Sequence, residues 1–125
     1  MILGTGIDIV EIRRIRAVLQ RREERFVRRV FTDAEREYCV RHRDPAPYFA
    51  ARFAAKEAAF KALGTGWARG VTWCDIEIVR RPEQAPALLI HGEARRIADS
   101  LQVRKAHVTL SHGEDAAIAF VLLES

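Results

Sequence analysis

Phe53-Ala-Ala-Lys-Glu-Ala-Ala-Phe-Lys-Ala-Leu-Gly-Thr-Gly66 sets a carboxylate among apolar side chains on a helix, and the rest of the chain reads outward from it. Phe49, Phe53, Phe60 and Leu63 recur at the spacing of one helical face, which predicts a helix over residues 48–63. Gly64-Thr65-Gly66 supplies its C-terminal stop. Glu57 falls within the apolar stripe, and Lys61 follows one turn later. A carboxylate pressed against apolar neighbours loses costly hydration unless a cation or donor compensates. Two groups are open for that role at this point, Lys61 itself or a metal ion.

Upstream, residues 2–10 are β-branched and apolar and predict a strand. Alternation puts Gly4, Gly6, Asp8 and Val10 on one face, so Asp8 projects beside positions without side chains, where a ligand or another backbone can approach closely. Residues 11–30 follow a helical pattern with a break near Gln20–Glu23, and Thr32-Asp-Ala-Glu35 is a capping box that opens a further helix to about Arg41. Arg43-Asp-Pro-Ala-Pro47 interrupts the helices. Downstream, residues 71–80 and 87–91 read as strands around a turn at Pro82–Pro86, and Gly92 leads into a short helix to about Leu101. Residues 106–110 and 116–123 read as strands joined by a hairpin turn at Ser111-His-Gly-Glu-Asp115. No repeat and no linker divides the chain. The expected fold is α+β in one compact domain over residues 1–125, an N-terminal strand and helices followed by a mostly antiparallel sheet with one inserted helix.

With 49% hydrophobic and 30% charged residues in 125, the chain suits one soluble globular core. No apolar run approaches the ~20 residues of a membrane span, and no charged-then-apolar leader is visible. Cys39 and Cys74 lack metal-ligand spacing and are too few for a disulfide scaffold, which points to the cytoplasm. The positive charge is concentrated: Arg13, Arg14, Arg16, Arg21, Arg22, Arg25, Arg28 and Arg29 face only Glu23 and Glu24. Such a stretch is either a solvated helical face or a docking surface for something acidic. Arginine in place of lysine favours carboxylate or phosphate recognition.

Asp8 either caps a nearby helix or pairs with an arginine such as Arg13 or Arg14, or it converges with Glu57 on one hard cation. Two carboxylates completed by water and phosphate oxygens suit Mg²⁺, and no His or Cys spacing suits zinc. Lys56 and Lys61 could be plain helix ion-pair partners of Glu57, worth ~0.3–0.5 kcal/mol each, but that leaves the apolar setting of Glu57 unexplained. A lysine beside a metal and a glycine turn suits phosphate chemistry. Ser111-His112 lacks any oxyanion motif, which excludes serine-hydrolase chemistry and leaves donation to a phosphate as the better use of both side chains.

Taken together, Gly6-Ile-Asp8-Ile-Val-Glu-Ile-Arg-Arg14, Arg52-Phe-Ala-Ala-Lys-Glu57-Ala-Ala-Phe-Lys61-Ala-Leu-Gly-Thr-Gly66, Asp75-Ile-Glu-Ile78 and Leu110-Ser-His112 resemble, in order and spacing, the holo-[acyl-carrier-protein] synthase family. These are the small bacterial 4′-phosphopantetheinyl transferases. The resemblance implies transfer of 4′-phosphopantetheine from coenzyme A to a serine of apo-acyl carrier protein, with release of adenosine 3′,5′-bisphosphate, as a step in fatty acid biosynthesis. It implies that Asp8 and Glu57 hold Mg²⁺, that Lys61 neutralises charge at the breaking phosphoanhydride, and that Glu57 or a water held by the ion takes the serine proton. It also implies that Gly64, Thr65, Gly66, Ser111 and His112 contact coenzyme A. Arg14, Arg21, Arg25 and Phe26 would then receive the acidic carrier, in a homotrimer with shared active sites. Departures from the family pattern are Gln84-Ala85-Pro86 where Gly-Lys-Pro is common, Ala51 where glycine is common, and Trp67 and Trp73 flanking the Gly-Thr-Gly stretch.

Two other classes share parts of this pattern. A nucleic-acid-binding module would use the arginine helix, but needs aromatics among the arginines, and Phe26 is the only one there. A Mg²⁺-dependent phosphohydrolase would share the metal and lysine but gives the basic helix no role. Neither nucleic acid nor a membrane is therefore expected as a partner.

Overall fold

The computed structural model describes all 125 residues. Strand β1 (Ile2–Glu11) leads into α1 (Ile12–Gln20), α2 (Glu24–Val30), α3 (Asp33–Val40) and the long α4 (Ala46–Leu63). A 3-10 turn at Trp73–Asp75 then precedes β2 (Ile76–Val79), β3 (Ala87–Ile90), α5 (Gly92–Ser100), β4 (Lys105–His112) and β5 (Ala116–Glu124). All pairings are antiparallel, as the α+β expectation requires. The strands form two sheets, however, a three-stranded β1-β5-β4 and a separate β2-β3 hairpin.

Three boundaries differ from the sequence reading, each for a local reason. Residues 71–80 become strand only at Ile76, because the Thr72 hydroxyl and amide both donate to Asp75 and wind the preceding segment into a turn. Ser111 and His112 are the last residues of β4, paired with Ile118 and Ala117, and not part of the turn. The turn is closed one residue later, where the Gly113 amide donates to the Ala116 carbonyl at 3.0 Å. Helix α4 begins at Ala46, because Pro47 lies in the first turn, where no amide hydrogen is required.

α4 is the axis of the core and packs on β1, β5 and α1. Thirteen of its residues are buried, eight of them alanine, so it has no broad solvated face. The apolar stripe expected around Glu57 is thereby corrected. Apolar contact surrounds the helix, and the half-open positions Phe53 and Glu57, with exposed Lys61, form its accessible line at four-residue spacing. β1 reaches the helix through glycine. A Cβ on Gly6 would stand 1.9 Å from the Ala58 carbonyl oxygen, and one on Gly4 2.2 Å from that of Ala62. The close approach anticipated beside Asp8 is therefore made by another backbone.

Lys56 also differs from its sequence reading. It is 0% exposed, its Nζ lies 2.8 Å from the Glu35 carboxylate, and it donates to the carbonyls of Ile76 and Trp73. Glu35 in turn accepts from the amides of Thr32 and Ile78, as N3 of the α3 capping box. This knot joins α3, α4 and β2. Both cysteines are unpaired, Cys39 buried and Cys74 half-buried. No helix is long and apolar enough to cross a membrane.

Candidate active site

Asp8 of β1 and Glu57 of α4 meet in space. Alternation along β1 turns Asp8 to the same side as Gly4 and Gly6, and the glycines bring that side onto the helix. Lys61, one turn beyond Glu57, donates to the Asp8 carboxylate and to the Ile7 carbonyl, each at 3.0 Å, and so fixes the orientation of Asp8. Burial pushes the Glu57 carboxyl up to about 7, assisted by the charge of Asp8 and a hydrogen bond with it, while Lys61 and Arg14 pull the other way. The cations are thus too weak to settle the pair. A carboxyl held up by burial and by a second carboxylate marks a place where a further positive charge is favoured. No group of three or more His, Cys, Asp or Glu side chains gathers anywhere in the chain.

Ser111 and His112 line a different cleft. It is shared with Tyr38, Tyr48, Arg52 and Arg80, near the N-terminal half of α4. Tyr48 stacks on His42 at a centroid distance of 3.4 Å and meets His112 edge-on at 5.2 Å. Arg52, 3% exposed, lies over the Tyr38 ring and donates to the Tyr48 carbonyl at 3.4 Å, but its Nε has no partner. A buried guanidinium nitrogen left without an acceptor, beside a second arginine and a histidine, suits an anion. In the sequence Arg52 opens the Arg52–Gly66 motif with no role of its own. Its signal was an arginine in an alanine-rich helix, and its neighbours became visible only when β4 packed there. By sheet register His112 stands two strands across and two residues along from Asp8, roughly 12 Å away.

Gly64, Thr65 and Gly66 lie at the other end of α4. Gly64 ends the helix with φ 78°, Gly66 has φ 53°, and open space lies over both. Thr65 is buried, and its hydroxyl donates to the Gly66 carbonyl. Within one chain, therefore, Asp8, Glu57 and Lys61 come together, whereas the glycine turn and the Ser111–His112 cleft flank them on opposite sides.

The basic surface lies on α1 and α2. Arg14 is near enough to influence Glu57, Arg21 at the end of α1 makes only a long 3.8 Å pair with Glu23, and Arg25 and Phe26 line a shallow depression with Arg22 and Arg29. Phe26 is half-buried and leans towards Phe53 at 6.4 Å, which connects the basic face to the accessible line of α4.

A family model described as 4′-phosphopantetheinyl transferase superfamily matches residues 4–121. The chain belongs to the 4′-phosphopantetheinyl transferase superfamily. The holo-[acyl-carrier-protein] synthase of Koribacter versatilis (strain Ellin345) is 52% identical over 124 residues, covering 99% of each chain. Among solved structures, the holo-[acyl-carrier-protein] synthase of Neisseria meningitidis superimposes with a TM-score of 0.88 at 31% identity, covering 100% of both chains. The Helicobacter pylori enzyme in complex with coenzyme A gives 0.83 at 31% identity, covering 96% of this chain and 99% of that one. Membership holds across the whole fold, so the Asp8–Glu57–Lys61 cluster and the cleft at His112 lie within the superfamily's own domain.

Proposed function

We propose that the chain transfers the 4′-phosphopantetheine arm of coenzyme A to a serine hydroxyl of apo-acyl carrier protein, releasing adenosine 3′,5′-bisphosphate. The observation that carries this reading is the meeting of Asp8 and Glu57 beneath Lys61. Phosphoryl transfer asks a protein for positioning and charge stabilisation more than for covalent chemistry. The donor set fits Mg²⁺: two hard carboxylate ligands face each other where a cation would relieve their repulsion, and the remaining positions would be left to water and phosphate. When bound, the ion would supply charge neutralisation at the pyrophosphate.

The chain's own side chains supply the rest. Lys61 holds Asp8 in place and adds a positive charge where negative charge develops on the leaving group. Glu57, on the accessible line of α4 beside Asp8, is placed to accept the serine proton. Arg52, with Ser111 and His112, suits the phosphorylated nucleotide end of coenzyme A, and the open backbone at Gly64, Thr65 and Gly66 suits a phosphate approach. Arg14, Arg21, Arg25 and Phe26 form the surface for the acidic carrier, raising the encounter rate more than the final affinity.

A homotrimer with shared active sites accounts for two further features. The outer face of the β1-β5-β4 sheet exposes Ile7, Ile9, Ile118 and Phe120, an apolar surface in need of cover. The parts of the site also lie on separate regions of one chain, so a neighbour's His112 cleft can complete the Asp8–Glu57 pair. We place the reaction in the cytoplasm, in keeping with two unpaired thiols. Incubation with coenzyme A, Mg²⁺ and apo-carrier should add one phosphopantetheine to the carrier by mass spectrometry, and chelation should abolish the gain. An unmodified carrier refutes the reading, and a monomer by light scattering refutes the shared site.

A further inference from the structure

Beside the carboxylate pair stands a row of aromatic rings that the transfer reaction as described leaves unused. Phe53 and Phe60 lie one turn before and after Glu57 on α4. Trp73 stacks on Phe53 at 4.8 Å, Trp67 packs against Trp73 at 3.7 Å, and Phe60 meets both indoles edge-on. Core packing accounts for Phe60, but not for Trp67, which remains 52% exposed directly after the open Gly64-Thr65-Gly66 turn. The platform is fixed from beneath, because buried Lys56 donates to the carbonyl of Trp73. A large apolar ring held rigidly and left half in water beside a reactive centre is suited to a ligand.

We infer that Trp67, backed by Trp73, is the surface on which the pantetheine arm of the donor lies, and that it determines how well donors with an apolar group on the terminal sulfur are accepted. The inference rests on the transfer reading above. In phosphoryl transfer the attacking and leaving oxygens stand in line. In the transfer reading the serine arrives from the α1–α2 face, and the nucleotide is held in an Arg52–His112 cleft that a neighbouring chain can supply. The arm must therefore leave the phosphorus off that axis. Trp67 directly follows the Gly64-Thr65-Gly66 turn proposed above to meet a phosphate of coenzyme A, so the indole lies where the arm departs from that phosphate. An indole face suits methylenes and amides, and its openness accommodates an added acyl group instead of excluding it. An apolar side chain of the carrier is the competing occupant, but the carrier surface begins at Phe26, the far end of the row.

The test compares coenzyme A with S-hexanoyl-coenzyme A as donors, reading carrier mass, with adenosine 3′,5′-bisphosphate as inhibitor. Trp67→Ala should raise KM for the hexanoyl donor about tenfold and for coenzyme A about threefold. The carrier KM and inhibition by the bisphosphate should not change, and Trp67→Phe should restore most of the loss. Equal effects on both donors overturn the inference. A raised KM for the carrier alone also overturns it, and assigns Trp67 to carrier docking. Without carrier, S-hexanoyl-coenzyme A should quench indole fluorescence in the wild type and fail to do so in Trp67→Phe; no wild-type quenching overturns it. If the wild type transfers nothing from either donor, the transfer reading fails, and the quenching titration alone decides whether Trp67 touches the donor.

Discussion

Replacing Gly6 by alanine tests whether the distance between β1 and α4 sets the geometry of the candidate site. The added Cβ would stand 1.9 Å from the Ala58 carbonyl oxygen, 2.9 Å from its carbon and 3.0 Å from the Ala62 amide nitrogen, all backbone atoms of a buried helix. No side chain can rotate to relieve this contact. Restoring ordinary van der Waals separation requires β1 to retreat by roughly 1.5 Å, at a cost of about 3 kcal/mol, the upper part of the overpacking range. Asp8 is two residues along the same face, so the retreat separates it from Glu57 and stretches its bond to Lys61. Misplacement on this scale costs on the order of 100-fold in rate. Urea unfolding and steady-state transfer, read side by side, should show both losses. Gly113→Ala is the control, since open space surrounds that glycine and neither quantity should change. A Gly6→Ala protein with wild-type stability and rate would refute the claim that backbone contact between β1 and α4 positions the carboxylates.

Three other outcomes follow from the same contacts. The Glu57 carboxyl is raised from 4.5 to about 7 in the folded state, so its contribution favours folding below pH 4.5 and is lost as pH rises to 7. In metal-free buffer Glu57→Gln should therefore be more stable than the wild type above pH 7, by about 1–2 kcal/mol after screening of a half-open group, and of similar stability at pH 4, while transfer is lost; a loss of stability at pH 8 by thermal melting would contradict this. Lys56→Met should cost about 3–5 kcal/mol by denaturant titration. Adding Glu35→Leu should recover little of it, because the amides of Thr32 and Ile78 and the carbonyls of Ile76 and Trp73 then lose their partners. Arg25→Glu should raise the carrier KM several-fold and flatten its salt dependence, with the coenzyme A KM unchanged; equal changes in both would argue against a carrier surface on α2.

The Asp8–Glu57 pair was legible in the sequence because two short periodicities define it. Alternation from Gly4 to Asp8 fixes which way the strand carboxylate points, and four-residue spacing puts Lys61 beside Glu57. The capping box at Thr32–Glu35 and the stop at Gly64 were legible for the same reason, since each is contained in a few consecutive residues. What sequence could not show is which side of α4 is open. With alanine at 50, 51, 54, 55, 58, 59 and 62, the helix has no polar face, and the accessible line through Phe53, Glu57 and Lys61 is decided by the strands packed against the other sides. The cleft of Arg52, Tyr48 and His112 was hidden likewise, because it forms only when β4 packs beside α4. The division into two sheets depends on where the β2-β3 hairpin docks, which alternation within either strand does not encode.

Lys56 and Glu57 show most directly how the structure separates support from function. They are adjacent, oppositely charged and carried by the same helix, yet the ~100° between successive residues sends them into unlike surroundings. The Lys56 ammonium reaches one carboxylate and two carbonyls, all from its own chain, so its burial is compensated. The Glu57 carboxylate faces another carboxylate, with a lysine committed to that second group and an arginine acting at a distance. A protein that satisfies a buried charge completely at one position and leaves the next carboxylate facing its like has no structural use for the second arrangement. The deficit at Glu57 is stable only because the Lys56 knot holds the helix in rotation and the glycines of β1 hold Asp8 against it. Weakening either support should therefore reduce transfer before it reduces folding, and that order of loss distinguishes a site built for an incoming cation and phosphate from a chance meeting of two acids.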